Sequence, residues 1–164
     1  MAVKGKNNLC ITEKGSFIFL GEIITDGVLE CSAPPVARKC GDCRRCIEAC
    51  PNGALTDQGF DYTRCLAYLT QKKGTLTEDE REAIRNNQIA WGCDRCSEVC
   101  PHNQGLPRAE ISLPPNELLL RLTAEEIEGM TDRQFRQTYA LRAFAWKGKA
   151  TMLRNLYILE EKDL

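Results

Sequence analysis

The spacing of the cysteines constrains this chain more than any other feature of its sequence. Ten of the 164 residues are cysteines, and residues 40–51 read C-x2-C-x2-C-x3-C-P. Three cysteines at two-residue gaps can bind three irons of one cubane, whereas the fourth ligates a different cluster. The segment therefore predicts two [4Fe–4S] clusters and a role in electron transfer.

A second block, residues 93–101, repeats this motif without its first cysteine. In this motif the cysteine before the proline ligates the cluster bound by the other block, which is called the crossover rule here. By that rule, Cys100 completes the first cluster. The other cluster is then one ligand short, and Cys65, which lies between the blocks, closes the count. The predicted ligands are Cys40, Cys43, Cys46 and Cys100 for the first cluster, and Cys50, Cys65, Cys93 and Cys96 for the second.

Disulfides and zinc are the alternative uses of so many cysteines. The N-terminus has no apolar signal-peptide core, so we expect a cytoplasmic protein, and disulfides rarely persist in a reducing cytoplasm. A tetrahedral zinc site has no need of the third cysteine at the next two-residue step, nor of the repeated C-P ending. Cys10 and Cys31 are expected to be ordinary apolar side chains, and His102 is not needed as a ligand.

Hydrophobic patterning predicts an α+β chain that begins with a short β-hairpin. The runs 9–12 and 16–24 have β-like composition, and the turn-like residues 12–15 join them. Alternation in the second run, which includes Phe17, predicts a strand packed on one side. A bacterial-ferredoxin-like double-cluster module with a helical insert follows, and a helical tail ends the chain.

Helix signals begin after the first cysteine block. Asp61 is the predicted N-cap of a helix from Tyr62 to about Lys72, which contains Cys65. An amphipathic helix is predicted over 147–159. Further helix starts are predicted by three capping boxes, at Thr77–Glu80, Thr123–Glu126 and Thr131–Gln134.

The chain resembles epoxyqueuosine reductase, the cobalamin and iron–sulfur enzyme of the last step of queuosine synthesis in tRNA. The resemblance covers residues 5 to about 103, and residues 153–155 resemble the start of the family's C-terminal helical repeats. It rests on the cysteines and on the segments around them, which are 5–9 (GKNNL), 15–22 (GSFIFLGE), 51–55 (PNGAL), 64–70 (RCLAYLT) and 91–96 (WGCDRC).

The resemblance implies a function in the two-electron reduction of epoxyqueuosine to queuosine, with cobalamin as the reactive centre and the clusters as the electron supply. It implies that the corrin packs over the hairpin side near the second cluster, with Lys6, Phe17 and Asp94 as contacts. A flavodoxin or ferredoxin is the implied electron donor. The alternative is a stand-alone ferredoxin-like carrier without catalytic activity of its own.

The family's catalytic acid lies in a large domain that precedes the Gly-Lys-Asn segment, so no catalytic residue is assigned here and activity of this chain alone is not expected. The sequence fits a fragment, an expressed subdomain or a short protein. The predicted parts are a β-hairpin remnant of the cobalamin-binding domain, a double-cluster domain and a helical tail, at 1–30, 31–110 and 111–164. A monomer is expected. No membrane partner is expected, because no apolar run approaches the roughly 18 residues of a span.

Basic residues dominate the segment 131–155, with aromatic residues interleaved between 139 and 146. Such a face suits phosphate binding with stacking platforms, although solvated charges and core aromatics explain the same pattern. The resemblance favours tRNA as the partner. The candidate tRNA contacts are Arg142, Lys147, Lys149 and Arg154.

Overall fold

The structure is a computed structural model that describes residues 3–30, 40–106, 119 and 121–161. The chain forms two compact units. The first combines Met1–Phe60 with Asp94–Arg108, and the second combines Asp61–Cys93 with Ala109–Leu164. Short hairpins, a cysteine-rich module and a helical C-terminal part confirm the predicted α+β class.

Four short strands and seven α-helices are found in the described residues, together with single turns of 3-10 helix. The strands are β1 (Val3–Lys4), β2 (Cys10–Ile11), β3 (Leu55–Thr56) and β4 (Gly59–Phe60). The helices are α1 (Arg45–Glu48), α2 (Leu66–Leu69), α3 (Glu78–Asn87), α4 (Arg95–Glu98), α5 (Ala124–Glu128), α6 (Asp132–Thr138) and α7 (Lys149–Leu159).

The first unit is built from two small antiparallel hairpins and two single-turn helices. β1 pairs with β2, and β3 pairs with β4. The helices α1 and α4 contact each other. Their caps have nearly the same backbone angles, with φ/ψ of −84°/−6° at Ala49 and −85°/−5° at Val99. The two cysteine blocks therefore fold as two copies of one local structure, as their sequence repeat predicts.

The predicted first hairpin is wrong in its second strand. The turn is present, because Thr12 and Gly15 exchange main-chain hydrogen bonds, but the strand that pairs with β2 is the upstream β1. Residues 16–30 form no strand, and Phe17 is 61% exposed. Strands need an apolar surface to pack on, and the described part of the chain offers none to this segment.

The helical second unit contains two apolar cores, and α7 contributes to both. One core combines Leu66, Leu69 and Ile84 with Ile158, and the other is centred on Phe135. All three predicted capping boxes are confirmed, each with both reciprocal hydrogen bonds. None of the helices in the described ranges is long and apolar enough to cross a membrane.

The helix predicted from Asp61 is interrupted. Asp61 caps its start as predicted, because its carboxylate accepts a hydrogen bond from Thr63 N at 3.0 Å. The first turn is a 3-10 helix, Tyr62–Arg64, and Cys65 is extended (φ −73°, ψ 122°) before α2 begins. The prediction of one continuous helix is therefore wrong at Cys65.

Two adjacent buried polar residues on α7 stabilise the second unit through hydrogen bonds. Asn155 Nδ2 donates to Thr70 O at 2.7 Å and to Ala90 O at 2.8 Å. The Arg154 guanidinium donates to Lys72 O at 2.7 Å and to Gly74 O at 2.6 Å, and also to Asn155 Oδ1. This pair ties α7 to the chain that follows α2 and to the chain that precedes Cys93.

The Glu80 carboxylate gives the second unit a pH-dependent stability. Burial raises its pKa, but hydrogen bonds from Lys72 Nζ (2.6 Å) and Thr77 N (2.9 Å) and the charge of Arg154 outweigh burial, so the net pKa lies below the ordinary 4.5. This stabilisation is present above the unfolded-state pKa and is lost as pH falls through the lower folded-state pKa.

Glu80→Gln should therefore lower the free energy of unfolding by about 1 kcal/mol at pH 7, the upper end for a partly exposed ion pair. The difference between variant and parent should shrink below pH 4.5. Urea unfolding of the variant and the parent, at pH 7 and below pH 4.5, measures this difference. Glu82→Gln, on the exposed side of α3, is the control. Equal losses for the two variants at pH 7 would contradict the prediction.

Candidate iron–sulfur centre

Four cysteines of the first unit surround one cavity of about 200 Å³. They are the predicted ligands of the first cluster, named here the first-cluster cysteines: Cys40, Cys43, Cys46 and Cys100. One water needs only about 10–15 Å³ of such space, so the cavity has room for a group of many atoms. The structure thus brings together the set that the crossover rule predicts.

Local structure explains how each of these thiols is positioned. Cys43 N donates to Cys40 O at 3.0 Å and closes a tight turn. Within that turn Gly41 has a φ of +51°, which glycine adopts without strain. Cys46 lies on α1, and Cys100 directly follows the turn of α4. The contact between α1 and α4 brings Cys100 to the other three.

Lys6 stabilises the turn that carries Cys40 and Cys43 through hydrogen bonds. Its main-chain N donates to Cys40 Sγ at 3.4 Å. Its Nζ donates to Gly41 O at 2.8 Å and to Cys43 O at 3.1 Å. One residue therefore both hydrogen-bonds a predicted ligand sulfur and fixes the main chain of the turn around it.

The Cys46 thiol is influenced by burial and by the other three thiols of the cavity. Burial raises the pKa of the Cys46 thiol, and the neighbouring Cys40, Cys100 and Cys43 raise it further. Four thiolates can lie this close only when positive charge is placed among them, which is what iron in a cluster does. The donor set, the cavity and a lining residue with a buried unpaired amide nitrogen, Asn7, all fit a [4Fe–4S] cluster.

Zinc and an iron–sulfur cluster place different demands on their thiol ligands. In the part of the chain that the structure describes, no three His, Cys, Asp or Glu side chains converge closely enough to bind one ion. Zinc in a structural site is held by four ligands at about 2.0–2.3 Å from one centre. Thiols arranged around a cavity suit a larger group.

The four predicted ligands of the second cluster are divided between the two units. In the first unit, Cys96 lies on α4, and Cys50 Sγ accepts a hydrogen bond from Ala54 N at 3.2 Å. In the second unit, Cys65 occupies the break before α2, and Cys93 packs against the core that contains Leu66. Their grouping as one ligand set stays a prediction from spacing.

Residues 39–103 match the 4Fe-4S double cluster binding domain family. The chain is 38% identical over 154 residues to epoxyqueuosine reductase of Bacillus anthracis, covering 92% of this chain and 40% of that protein. The solved structure of epoxyqueuosine reductase from Streptococcus thermophilus superimposes with a TM-score of 0.80 at 34% identity, over 97% of this chain and 42% of that one.

This chain is a partial-length homologue of epoxyqueuosine reductase. It spans about 40% of the length of these relatives. A third relative is the crystal structure of epoxyqueuosine reductase with an epoxyqueuosine-modified tRNA-Tyr stem loop, at 31% identity and a TM-score of 0.77 over 95% of this chain and 42% of that one. The matches confirm the family resemblance and the double-cluster domain that the sequence predicts.

The three predicted cobalamin contacts of this epoxyqueuosine reductase homologue lie in different surroundings. Lys6 lies at the cavity of the first-cluster cysteines, whereas the sequence-based prediction put the corrin near the second cluster. Phe17 is largely exposed, and Asp94 is exposed where α4 begins. Asn7 and His102 also line the cavity. Sequence reasoning missed Asn7, and it considered His102 only as a ligand that is not needed. The Gly-Lys-Asn match to the reductases was the signal for Asn7.

The four predicted tRNA contacts differ in how accessible their side chains are to a phosphate. Arg154 is 6% exposed, and main-chain carbonyls surround its guanidinium, so the prediction of a phosphate contact is wrong for this residue. Lys149 Nζ donates to Glu128 O at 2.8 Å. Lys147 lies over the exposed Trp146 ring at 4.0 Å and lines an open groove with Lys73. Arg142 is half-buried.

Cys100→Ser should weaken the first cluster selectively, because Cys100 is the one thiol that the second block contributes to the cavity. We expect the variant to lose about half of the iron and sulfide after anaerobic reconstitution. Chemical analysis of both elements measures the loss. Cys10→Ser, which alters a half-buried cysteine on β2, is the control and should retain both elements. Equal retention by the two variants would overturn the assignment of Cys100.

Proposed function

We propose that this chain is the iron–sulfur electron-transfer portion of an epoxyqueuosine reductase-like protein. In this role it binds two [4Fe–4S] clusters and delivers electrons to cobalamin, for the reduction of epoxyqueuosine to queuosine in tRNA. The observation that carries the proposal is the cavity lined by the first-cluster cysteines, in a chain homologous to epoxyqueuosine reductase over nine-tenths of its length.

The residues of the first unit would hold the first cluster and adjust its environment. The first-cluster cysteines supply four thiolates, and Lys6 fixes the turn that carries two of them. A [4Fe–4S] cluster supplies one-electron transfer without a proton partner. N–H donors to the sulfurs stabilise the more negatively charged, reduced state. Lys6 N beside Cys40 Sγ is one such donor.

The second ligand set is proposed from the spacing of its cysteines. Cys50 ends the first block with a Pro after it, as the fourth cysteine of this motif does when it ligates the other cluster. Its sulfur accepts the Ala54 N–H, a bond that suits a thiolate ligand. Cys65 lies in extended backbone rather than inside a helix, so its side chain is not confined to a helical face.

The rival function is a stand-alone ferredoxin-like carrier for a separate partner. Both functions require the clusters, and only the reductase function requires cobalamin. Corrin binding by the reconstituted chain, alone or with a complementing cobalamin-binding domain, therefore separates the two. A flavodoxin or ferredoxin is the proposed electron donor in either case.

The metal content tests the proposal directly. We expect about eight irons and eight acid-labile sulfides per chain after anaerobic reconstitution, and an EPR spectrum of two coupled clusters on reduction. Cys65→Ser should disturb one cluster and leave the other. Two zincs without sulfide would sink the proposal, and an unchanged Cys65→Ser spectrum would remove Cys65 from the ligand set. Cys10→Ser again serves as the control.

A tRNA stem loop is the proposed macromolecular partner. The observation in its favour is an open groove of the second unit lined by Lys72, Lys73 and Lys147 together with Tyr68. Lysines bind phosphates, and aromatic rings stack with bases. Lys72 Nζ is hydrogen-bonded to Glu80, so Lys73 and Lys147 are the proposed phosphate contacts. A relative of known structure binds such a stem loop.

Lys147→Ala should weaken binding of a tRNA anticodon stem loop several-fold and reduce the slope of log affinity against log salt by about 1. Fluorescence anisotropy at low and moderate salt measures both quantities. Lys14→Ala, which removes the same charge from an exposed position in the first unit, is the matched control. The groove is not the interface if both variants bind like the parent.

A further inference from the structure

The buried side chain of Asn7 has one polar atom without a partner. Asn7 is 6% exposed and lines the cavity of the first-cluster cysteines. Its Oδ1 accepts a hydrogen bond from Leu9 N at 3.3 Å. Its Nδ2 is buried and makes no hydrogen bond to any residue within the described ranges. A buried amide donor without an acceptor is destabilising, so the atom requires an explanation.

The orientation of this amide is fixed by its neighbours. The Leu9 main-chain nitrogen is a donor, so only the oxygen of Asn7 can face it. Gly5 packs closely from another side, because a Cβ on Gly5 would lie 2.5 Å from Asn7 Oδ1 and 2.6 Å from Ile11 Cδ1. A larger residue at position 5 would have to displace both of these side-chain atoms. Nδ2 is therefore the end of the amide left for a partner outside the hairpin.

The cavity of the first-cluster cysteines is the place where such a partner would lie. Cysteinyl sulfurs and cluster sulfides accept N–H hydrogen bonds, and these bonds help to set the reduction potential. We propose that Asn7 Nδ2 donates a hydrogen bond to a sulfur of the first cluster and thereby raises the reduction potential of that cluster. The proposal rests on the two-cluster function proposed above.

The direction of the effect follows from charge. Reduction adds one electron to the cluster and needs no proton, so the negative charge on its sulfurs grows. A donor that points at a sulfur stabilises the reduced state more than the oxidised state. The bond is strengthened by burial, because little water screens it. Lys6 N acts in the same sense on Cys40 Sγ, at 3.4 Å. Two consecutive residues of one turn would therefore tune one cluster.

Asn7→Leu removes the donor while keeping a side chain of similar size. We expect the ratio of reduced to oxidised first cluster, at a fixed potential, to fall about tenfold, which is about 59 mV for a one-electron couple. The reconstituted full chain is titrated with EPR detection, and the midpoints of both clusters are recorded. One midpoint should fall and the other should stay near its original value. Asn86→Leu, an exposed change on α3, is the matched control.

Asn7→Asp provides the second variant, because it keeps an oxygen for Leu9 N and lacks the donor. Its midpoint should fall at least as far as that of Asn7→Leu, since it also adds negative charge. The proposal is overturned if Asn7→Leu holds the full iron and sulfide with both midpoints unmoved. Should Asn7→Leu lose its clusters, an unmoved Asn7→Asp overturns it. Failure of the parent chain to bind iron and sulfide would instead refute the two-cluster function.

Discussion

The placement of four cysteines around one cavity is the constraint on which the first unit depends. Burial and three neighbouring cysteines all raise the pKa of Cys46, so the protein alone does not favour a thiolate at this position. The regular structure around them is small, with strands of two residues and helices of four. Small domains of this kind obtain much of their folding free energy from the metal that they bind.

The second unit obtains its stability in a different way. Its apolar side chains form two cores, its longer helices are capped, and α7 packs against α3, α5 and α6. The two units thus differ in what they need in order to fold. Loss of iron should disturb the first unit and the segments of the second that carry the predicted ligands Cys65 and Cys93. Loss of helical packing should disturb mainly the second unit.

Sequence alone predicted the parts that depend on short-range rules. Cysteine spacing grouped the first-cluster cysteines because the motif has one geometric solution, and the capping boxes marked helix starts because both partners lie within four residues. The break at Cys65 and the burial of Arg154 could not be predicted. The carbonyls that surround Arg154 belong to residues distant in sequence, and a pattern of charge carries no information about distant partners. Helix propensity likewise gave no sign of the extended backbone at Cys65.

The same limit explains the unpaired segment after the first turn. An alternating apolar pattern predicts a strand with one buried face, but it does not identify the surface that buries that face. The exposed side chains include Phe19, Ile23 and Ile24. Contiguous exposed apolar surface marks sites of interaction.

The hydrogen bonds that Arg154 and Asn155 make from α7 limit which substitutions these two positions tolerate. The planar guanidinium of Arg154 donates hydrogen bonds to several carbonyls at once. The ammonium group of a lysine could not reproduce that arrangement. Asn155 serves carbonyls on both sides of α3, which aspartate could not do because it lacks the amide donor. Exchanges that look conservative would therefore be among the least tolerated. Comparison of many such sequences would find this Arg-Asn pair nearly as constant as the cysteines themselves.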